Sequence, residues 1–314
     1  PMVARGKDKR PIPVVTTAGN YKYLGNLEVD FNANGKVVAW SGGPIRVAGG
    51  SNPDAVAADP FLQANVVDPV AAFLATLDAQ VIGSSEVDLD GRRSSVRSME
   101  SNEGNLIADS QLWQAQQLAA DFGQPAPDVA LQNGGGIRND SIIPSGDITE
   151  LDTFAMAPFG NFLSIVPNVP RSQFKEILEN AVSRTQPGDL PGGTGRFAQV
   201  AGFSFVYSAS GTAQVLNPDG TVATAGTRVT SVVLDDGTPI VTAGVVVNGP
   251  DLAIAIADFL ARGGDEYPFR GAPFTTLGVT YQQALSTYIQ DALGGLISAA
   301  DYPEGGEGRI SELP

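Results

Sequence analysis

The spacing of apolar positions changes along the chain, and each change marks a different kind of structure. Between residues 11 and 48 the pattern has period two: Leu27, Val29 and Phe31 alternate with other residues in KYLGNLEVDF, the turn NANGK follows, and VVAW resumes beyond it. Alternation on both sides of an Asn-Gly turn predicts a β-hairpin. Roughly forty residues of hairpin bury too little to stand alone, so this piece is expected to dock on something else. After the break AGGSNPD the period lengthens. Leu62, Val66, Val67, Val70, Phe73, Leu74 and Leu77 recur mostly at three- or four-residue intervals, predicting a helix over 59–80 that Pro69 kinks or restarts, with Asp68 as its cap. Flanked by breaks, it reads as an interdomain linker over 49–80, separating a 1–48 hairpin piece from a domain over 81–314.

In that domain the pattern is mixed. SNEGNLIADSQLWQAQQLA predicts a helix with Ala108, Leu112, Ala115 and Ala119 on one face, and DVALQ a short buried strand. Thr149 and Asp152 have capping-box spacing, and Phe174, Ile177, Leu178, Ala181 and Val182 mark an amphipathic helix. After PGGTG the chain turns strand-rich, with FSFVYS, RVTSVVL and VVVNGP separated by turns at NPDGT and DDGTP. DLAIAIADFLARGG and VTYQQALSTYIQDAL are read as a closing pair of helices. There is no internal repeat with a period of about 20 to 50 residues. The fold class is α/β, of the α+β type: a mixed sheet with helices and no clear βαβ repeat.

Composition narrows the chemistry. A net charge of −15 over 314 residues argues against a surface that binds polymeric nucleic acid through counterion release. It also makes each pocket arginine more informative, because a phosphate site would have to concentrate its few cations locally. The chain has no cysteine and no histidine, which excludes disulfides, thiolate sites, a Ser-His-Asp triad and any His-ligated metal within it. Apolar stretches are broken by Asp, Gly or Pro well before ~18 residues, so no membrane-spanning helix is expected. The basic opening PMVARGKDKR is followed by no apolar segment, so no signal peptide is visible.

Among short motifs, GTGRFA at 193–198 follows no strand and is read as a linker rather than a dinucleotide loop, and DLDG at 88–91 lacks the downstream Glu of a calcium loop. The stretch NGGGIR after DVALQ carries more. Its glycines allow positive φ and unshielded N–H groups for an anion, while Arg138 offers a planar fork and Asn133 an orienting amide. A tight turn with a solvated arginine explains the same residues. Phe159 in PFGNF and Phe259 in DFLARGGDEY are, on local grounds alone, read first as core residues.

Taken in order, VRSMESNEGNLIAD, LQNGGGIR, LDTFAMAPFGNFL, GRFAQVAGFSFVYS and DFLARGGDEY resemble the C-terminal domain of the 5′-nucleotidase family, and VVTTAGNYKYLGNLEVDF resembles the last strands of its N-terminal metallophosphoesterase domain. The resemblance implies that Arg97 and Arg138 hold phosphate, with Asn133 and Gly135 beside them. It implies that Phe159 and Phe259 stack on the base, Asn161 touches the base edge, Asp265 accepts from the ribose hydroxyls, and Gly202 lies in a loop lining the pocket. It further implies a nucleotide or nucleoside ligand, a secreted, periplasmic or cell-surface location, and no cofactor in this chain. Two divalent ions (Zn, Mn or Co) and the hydrolytic machinery are expected in an N-terminal metallophosphoesterase domain missing from this sequence. The alternative is a stand-alone, non-catalytic nucleotide- or nucleoside-binding module.

Overall fold

The computed structural model describes residues 2–7, 9–186 and 193–313, so the break at PGGTG lies partly outside the described residues. The chain divides into two compact units, 1–73 and 74–314.

The first unit is built from hairpins. Strand β1 (Tyr23–Phe31) pairs antiparallel with β2 (Val37–Arg46), as the alternation predicts. Asn32 Oδ1 accepts from the N–H groups of Asn34 and Lys36, at 3.0 Å each, and Gly35 supplies the positive φ of the turn (68°). The helical run Pro60–Asp78 carries the boundary between the units. Asp59 caps it, and the run passes through a π-helical turn at Gln63–Val67 before α1 (Asp68–Asp78). Pro69 can donate no hydrogen bond and crowds the preceding turn, so the helix widens by one residue just ahead of it and continues. None of the run is buried, and its 19 residues are apolar and long enough to cross a membrane by length and composition. That makes it one candidate by length and composition only; Asp68 and Pro69 break its apolar run, and Asp68 at mid-helix opposes insertion by about 3 kcal/mol.

In the second unit, chain order gives α2 (Asn102–Leu118), β3 (Val129–Asn133), α3 (Glu150–Met156), β4 (Phe162–Val169) and α4 (Arg171–Ala181). Then come β5 (Ala198–Ala201), β6 (Phe203–Tyr207), β7 (Leu252–Ala257), α5 (Asp258–Ala261), β8 (Thr275–Thr280) and α6 (Tyr281–Thr287). Five strands form a mixed sheet in the order β5-β3-β7-β4-β8. A second five-stranded sheet contains β6 and the strand Val229–Leu234. The main core joins both sheets to the apolar face of α4, where Phe174, Ile177 and Leu178 are fully buried.

Several elements follow their local signals. Ser101 caps α2 by accepting from Gly104 N–H at 3.0 Å, and Thr149 with Asp152 forms a reciprocal capping box on α3. Two readings are corrected. Helix α2 is buried beyond its apolar face: Asn102, Glu103, Asn105 and Gln111 are as buried as Leu106 and Ile107, because the helix packs into the interior, where each of these side chains has at least one polar partner. The stretch read as one helix over 251–264 is strand β7 followed by the single turn α5. Lying between β3 and β4 at the centre of the sheet, β7 is buried on both faces, and a strand of that kind must be apolar throughout. The Ala/Ile alternation of LAIAIA was the period-two signal within that run.

Register fixes what the sheet does for the site. Ala198 pairs with Asn133 and Leu163 with Ala257, both antiparallel, while Ile256 pairs with Leu131 in the parallel β3/β7 pair. The carboxyl ends of β3 and β7 therefore meet the amino ends of β4 and β5 at one end of the sheet. At the far end, Gly202 (φ 82°) turns the chain from β5 into β6 and so from one sheet into the other. A Cβ there would stand 2.4 Å from the Asp128 carbonyl oxygen. Gly202→Ala is expected to cost about 2 kcal/mol or more in a urea melt, from the left-handed backbone and this collision together, while ligand affinity per folded molecule stays unchanged.

Candidate functional site

The loops at the shared end of the sheet enclose a cavity of about 420 Å³ lined by Arg97, Asn133, Gly135, Gly136, Arg138, Phe159, Asn161, Gly195, Phe259 and Asp265. Its walls follow β3 and β7 and precede β4 and β5, with Arg97 coming from the end of the short helix Arg93–Val96. Eight of the nine site residues expected from sequence are thus brought together. The ninth, Gly202, is not: it lies at the opposite end of β5 as the corner between sheets, and its glycine is required by φ and by the Asp128 carbonyl.

The three consecutive glycines correct a second expectation. None of Gly134, Gly135 and Gly136 has positive φ; they form one 3₁₀ turn. Nor are the first two N–H groups open to an anion, since Gly134 donates to Phe197 O (2.7 Å) and Gly135 to Gly195 O (2.8 Å). Glycine is needed for close approach. A Cβ on Gly134 would lie 2.1 Å from Val96 O, and one on Gly136 2.2 Å from Gln132 Nε2. The turn can therefore lie directly on the backbone that ends in Arg97, which brings two arginines to one wall.

Arg97 is 7% exposed, and its Nε is buried without a partner. Burial, then repulsion from Arg93 and Arg138, lowers its pKa, with Asp265 and Asp140 opposing. Arg138 is exposed and lies over the Phe159 ring, 5.5 Å from its centroid. An anion between the arginines would relieve the repulsion and give the orphaned N–H an acceptor. Phe159 and Phe259 are each 43% exposed, so their faces are available to a flat ligand rather than spent in the core. Phe259 keeps its position because Gly264 beneath it has no Cβ, which would otherwise lie 2.5 Å from the ring.

The polar residues are held by others that carry no local signal in the sequence. Asn133 Nδ2 donates to Asp265 Oδ2 at 2.6 Å, joining the ends of β3 and β7. Its amide is oriented from behind: Gln132 Nε2 donates to Asn133 Oδ1 (3.0 Å), and Gln111 of α2 donates to Gln132. Asp265 has a left-handed backbone (φ 50°), as does Glu266 (φ 60°), each costing about 1 kcal/mol or more. Asn180 Nδ2 fixes the Asp265 carbonyl at 3.2 Å, and Arg196, itself bonded to Asn180 and Ser183, grips Glu266 at 2.7 Å. Gly195, within a stretch read as a linker, lines the cavity, and its carbonyl holds the glycine turn.

Tyr281, fully buried at the start of α6, ties the two sides of the cavity. Its hydroxyl donates to Gly136 O (3.0 Å) and accepts from Phe159 N–H (3.2 Å), and burial pushes its pKa up to about 12. Tyr281→Phe leaves both backbone groups unpartnered. A stability loss of about 1–3 kcal/mol in chemical denaturation, with weaker ligand binding, is the expected outcome.

Residues 81–271 match the family model described as 5'-nucleotidase, C-terminal domain. The 5'-nucleotidase of Bos taurus is 32% identical over 211 residues, covering 67% of this chain and 35% of that protein. A snake venom 5'-nucleotidase of Macrovipera lebetinus is 32% identical over 212 residues, covering 67% of this chain and 49% of its own length. The crystal structure of a 5'-nucleotidase precursor from Thermus thermophilus superposes with a TM-score of 0.61 at 29% identity, over 100% of this chain and 54% of that one. The chain thus spans about a third to a half of the relatives it matches. Fold and sequence agree: the chain belongs to the 5'-nucleotidase family and contains its C-terminal domain.

Proposed function

We propose that the cavity binds a nucleotide and positions it for hydrolysis of its phosphate ester. The base lies between Phe159 and Phe259 with Asn161 at its edge, Asp265 accepts from the ribose hydroxyls, and Arg97 and Arg138 hold the phosphate. The observation that carries this reading is the convergence of two half-exposed aromatic rings, one carboxylate and two arginines on a single cavity in a chain of net charge −15. The unpartnered Arg97 Nε supports an anionic ligand, and the Asn133 bond, which fixes one Asp265 oxygen as an acceptor, supports Asp265 accepting from the ribose.

Hydrolysis in this reading uses two divalent ions, Zn, Mn or Co, in a metallophosphoesterase domain. The residues of this chain do not fit such a centre. It has no histidine or cysteine, and among the described residues no group of three or more Asp or Glu side chains could hold a metal ion. What these residues do is bind, orient and neutralise. Stacking fixes the plane of the base, Asp265 fixes the ribose, and the arginines set the direction in which the phosphate leaves the pocket. The reading also carries an extracytoplasmic location, as for the snake venom enzymes named among the relatives.

Calorimetry with AMP tests the site. Binding without added metal is expected, and Phe159→Ala or Phe259→Ala should each cost about 1–3 kcal/mol of affinity. No heat at millimolar AMP contradicts the reading. With Mn²⁺, Co²⁺ or Zn²⁺ added, the 314-residue chain should release phosphate from AMP no faster than buffer. Turnover above that level contradicts the assignment of hydrolysis to residues outside it.

A further inference from the structure

Glu103, in the first turn of α2, is fully buried beneath the segment that follows Arg138. Asn139 Nδ2 donates to Glu103 Oε2 at 3.0 Å and to Ser141 O at 3.1 Å. The second bond fixes which way the Asn139 amide points, so its Oδ1 is an acceptor and cannot be exchanged with the nitrogen. Two oxygens are then left over. Glu103 Oε1 and Asn139 Oδ1 are both buried and both without a partner. Both face the one point a Cβ would occupy on Gly91, Glu103 Oε1 at 2.4 Å and the Asn139 amide at 2.3 Å (Oδ1) and 2.2 Å (Nδ2), so carboxyl and amide meet edge to edge there. Two buried acceptors side by side repel, and each lacks a hydrogen bond worth about 1–3 kcal/mol. A single proton on Glu103 Oε1 removes both faults.

We propose that Glu103 is a positioning residue, carried as the neutral acid, whose Oε1–H donates to Asn139 Oδ1 and, with the reciprocal amide bond, clamps the segment that presents Arg138 to the cavity. Gly91 leaves room for the pair. The same segment is held at Arg138 N–H by Met156 O (3.1 Å), at Asp140 Oδ1 by Arg93 N–H (2.8 Å) and at Ser141 O by Gly91 N–H (3.1 Å), and the Glu103–Asn139 pair is its buried side-chain fastening. The groups that bear on Glu103 agree with this state. Its pKa is pushed up to about 8, chiefly by complete burial, with the Asn139 amide opposing and Asp90 ahead of Gly91 and Asp152 of α3 adding to the rise. Asp90 is itself paired with Arg92, which reduces but does not reverse its effect.

The sign follows from linkage. The folded-state value lies above the ordinary value of 4.5, so the neutral form's contribution is complete below that value and is lost as pH rises towards 8. Glu103→Gln keeps both hydrogen bonds without a titrating group, because its amide donates where the acid did. In wild-type chain, a ¹³C NMR titration, with the carboxyl resonance assigned by its loss in E103Q, should place Glu103 near pH 8. A midpoint in the ordinary carboxylate range overturns the proposal. The Arg138 Nε–H resonance should move with that midpoint in wild type and stay still in E103Q. No movement in wild type also overturns it. Both readouts need no ligand, and should the variant fail to fold, selective labelling of wild type alone decides the matter.

The consequence for binding rests on the nucleotide reading. Across the pH range that spans this titration, AMP affinity should fall several-fold in wild type and hold constant in E103Q. Equal pH dependence in the two proteins contradicts the positioning role. If AMP binds neither protein at any pH, the nucleotide reading fails, while the two resonances still decide the role of Glu103.

Discussion

One hydrogen bond, from Asn133 Nδ2 to Asp265 Oδ2, joins residues 132 positions apart and closes the site. It exists because β3 and β7 are adjacent and parallel, so that both chains leave the sheet at the same end. Most of what lines the cavity depends on that pairing, Arg97 coming instead from the end of the helix Arg93–Val96. The antiparallel neighbours β4 and β5 bring in Phe159, Asn161 and Gly195 at their amino ends, while the carboxyl ends of β3 and β7 supply the glycine turn, Phe259 and Asp265. Behind the bond stands a file of buried amides, from Gln111 through Gln132, which leaves Asn133 little choice of orientation. Interior placement of α2 is what makes that file possible, and it explains why a helix with so many polar residues is buried.

A second constraint is electrostatic. The chain as a whole is strongly acidic, yet Arg93, Arg97 and Arg138 are close enough to depress the proton affinity of Arg97. Bringing like charges together costs energy that no partner within the described cavity fully returns, since Arg97 Nε has none. The left-handed pair at Asp265 and Glu266 is a cost of the same kind, maintained by Asn180 and Arg196. Such costs concentrate where a ligand offsets them.

Much of this was legible in the residues and some was not. The β1/β2 hairpin, the α3 capping box and the apolar face of α4 followed from period and cap chemistry because they depend on neighbours in sequence. The site residues came into view through ordered motifs, and eight of nine fall on one cavity. What failed depended on distant contacts. LAIAIA was read as helix because only its place between β3 and β4 shows that both faces are buried. NGGGIR left open an anion cradle and a tight turn; the structure has the tight turn without positive φ, and the glycines are required by the nearness of Val96 and Gln132. Gly202 was assigned to the cavity from its motif, although a corner between two sheets cannot be seen from one strand. Tyr281, Asn180 and Gln111 carried no local signal, since each acts by reaching across the fold.

That these loops form one nucleotide pocket is tested most directly by a crystal structure of the chain soaked with AMP. The predicted result is density for the base between Phe159 and Phe259, ribose hydroxyls within hydrogen-bond distance of Asp265, and phosphate oxygens on Arg97 and Arg138. Full-occupancy AMP bound elsewhere, with this cavity empty, would contradict it.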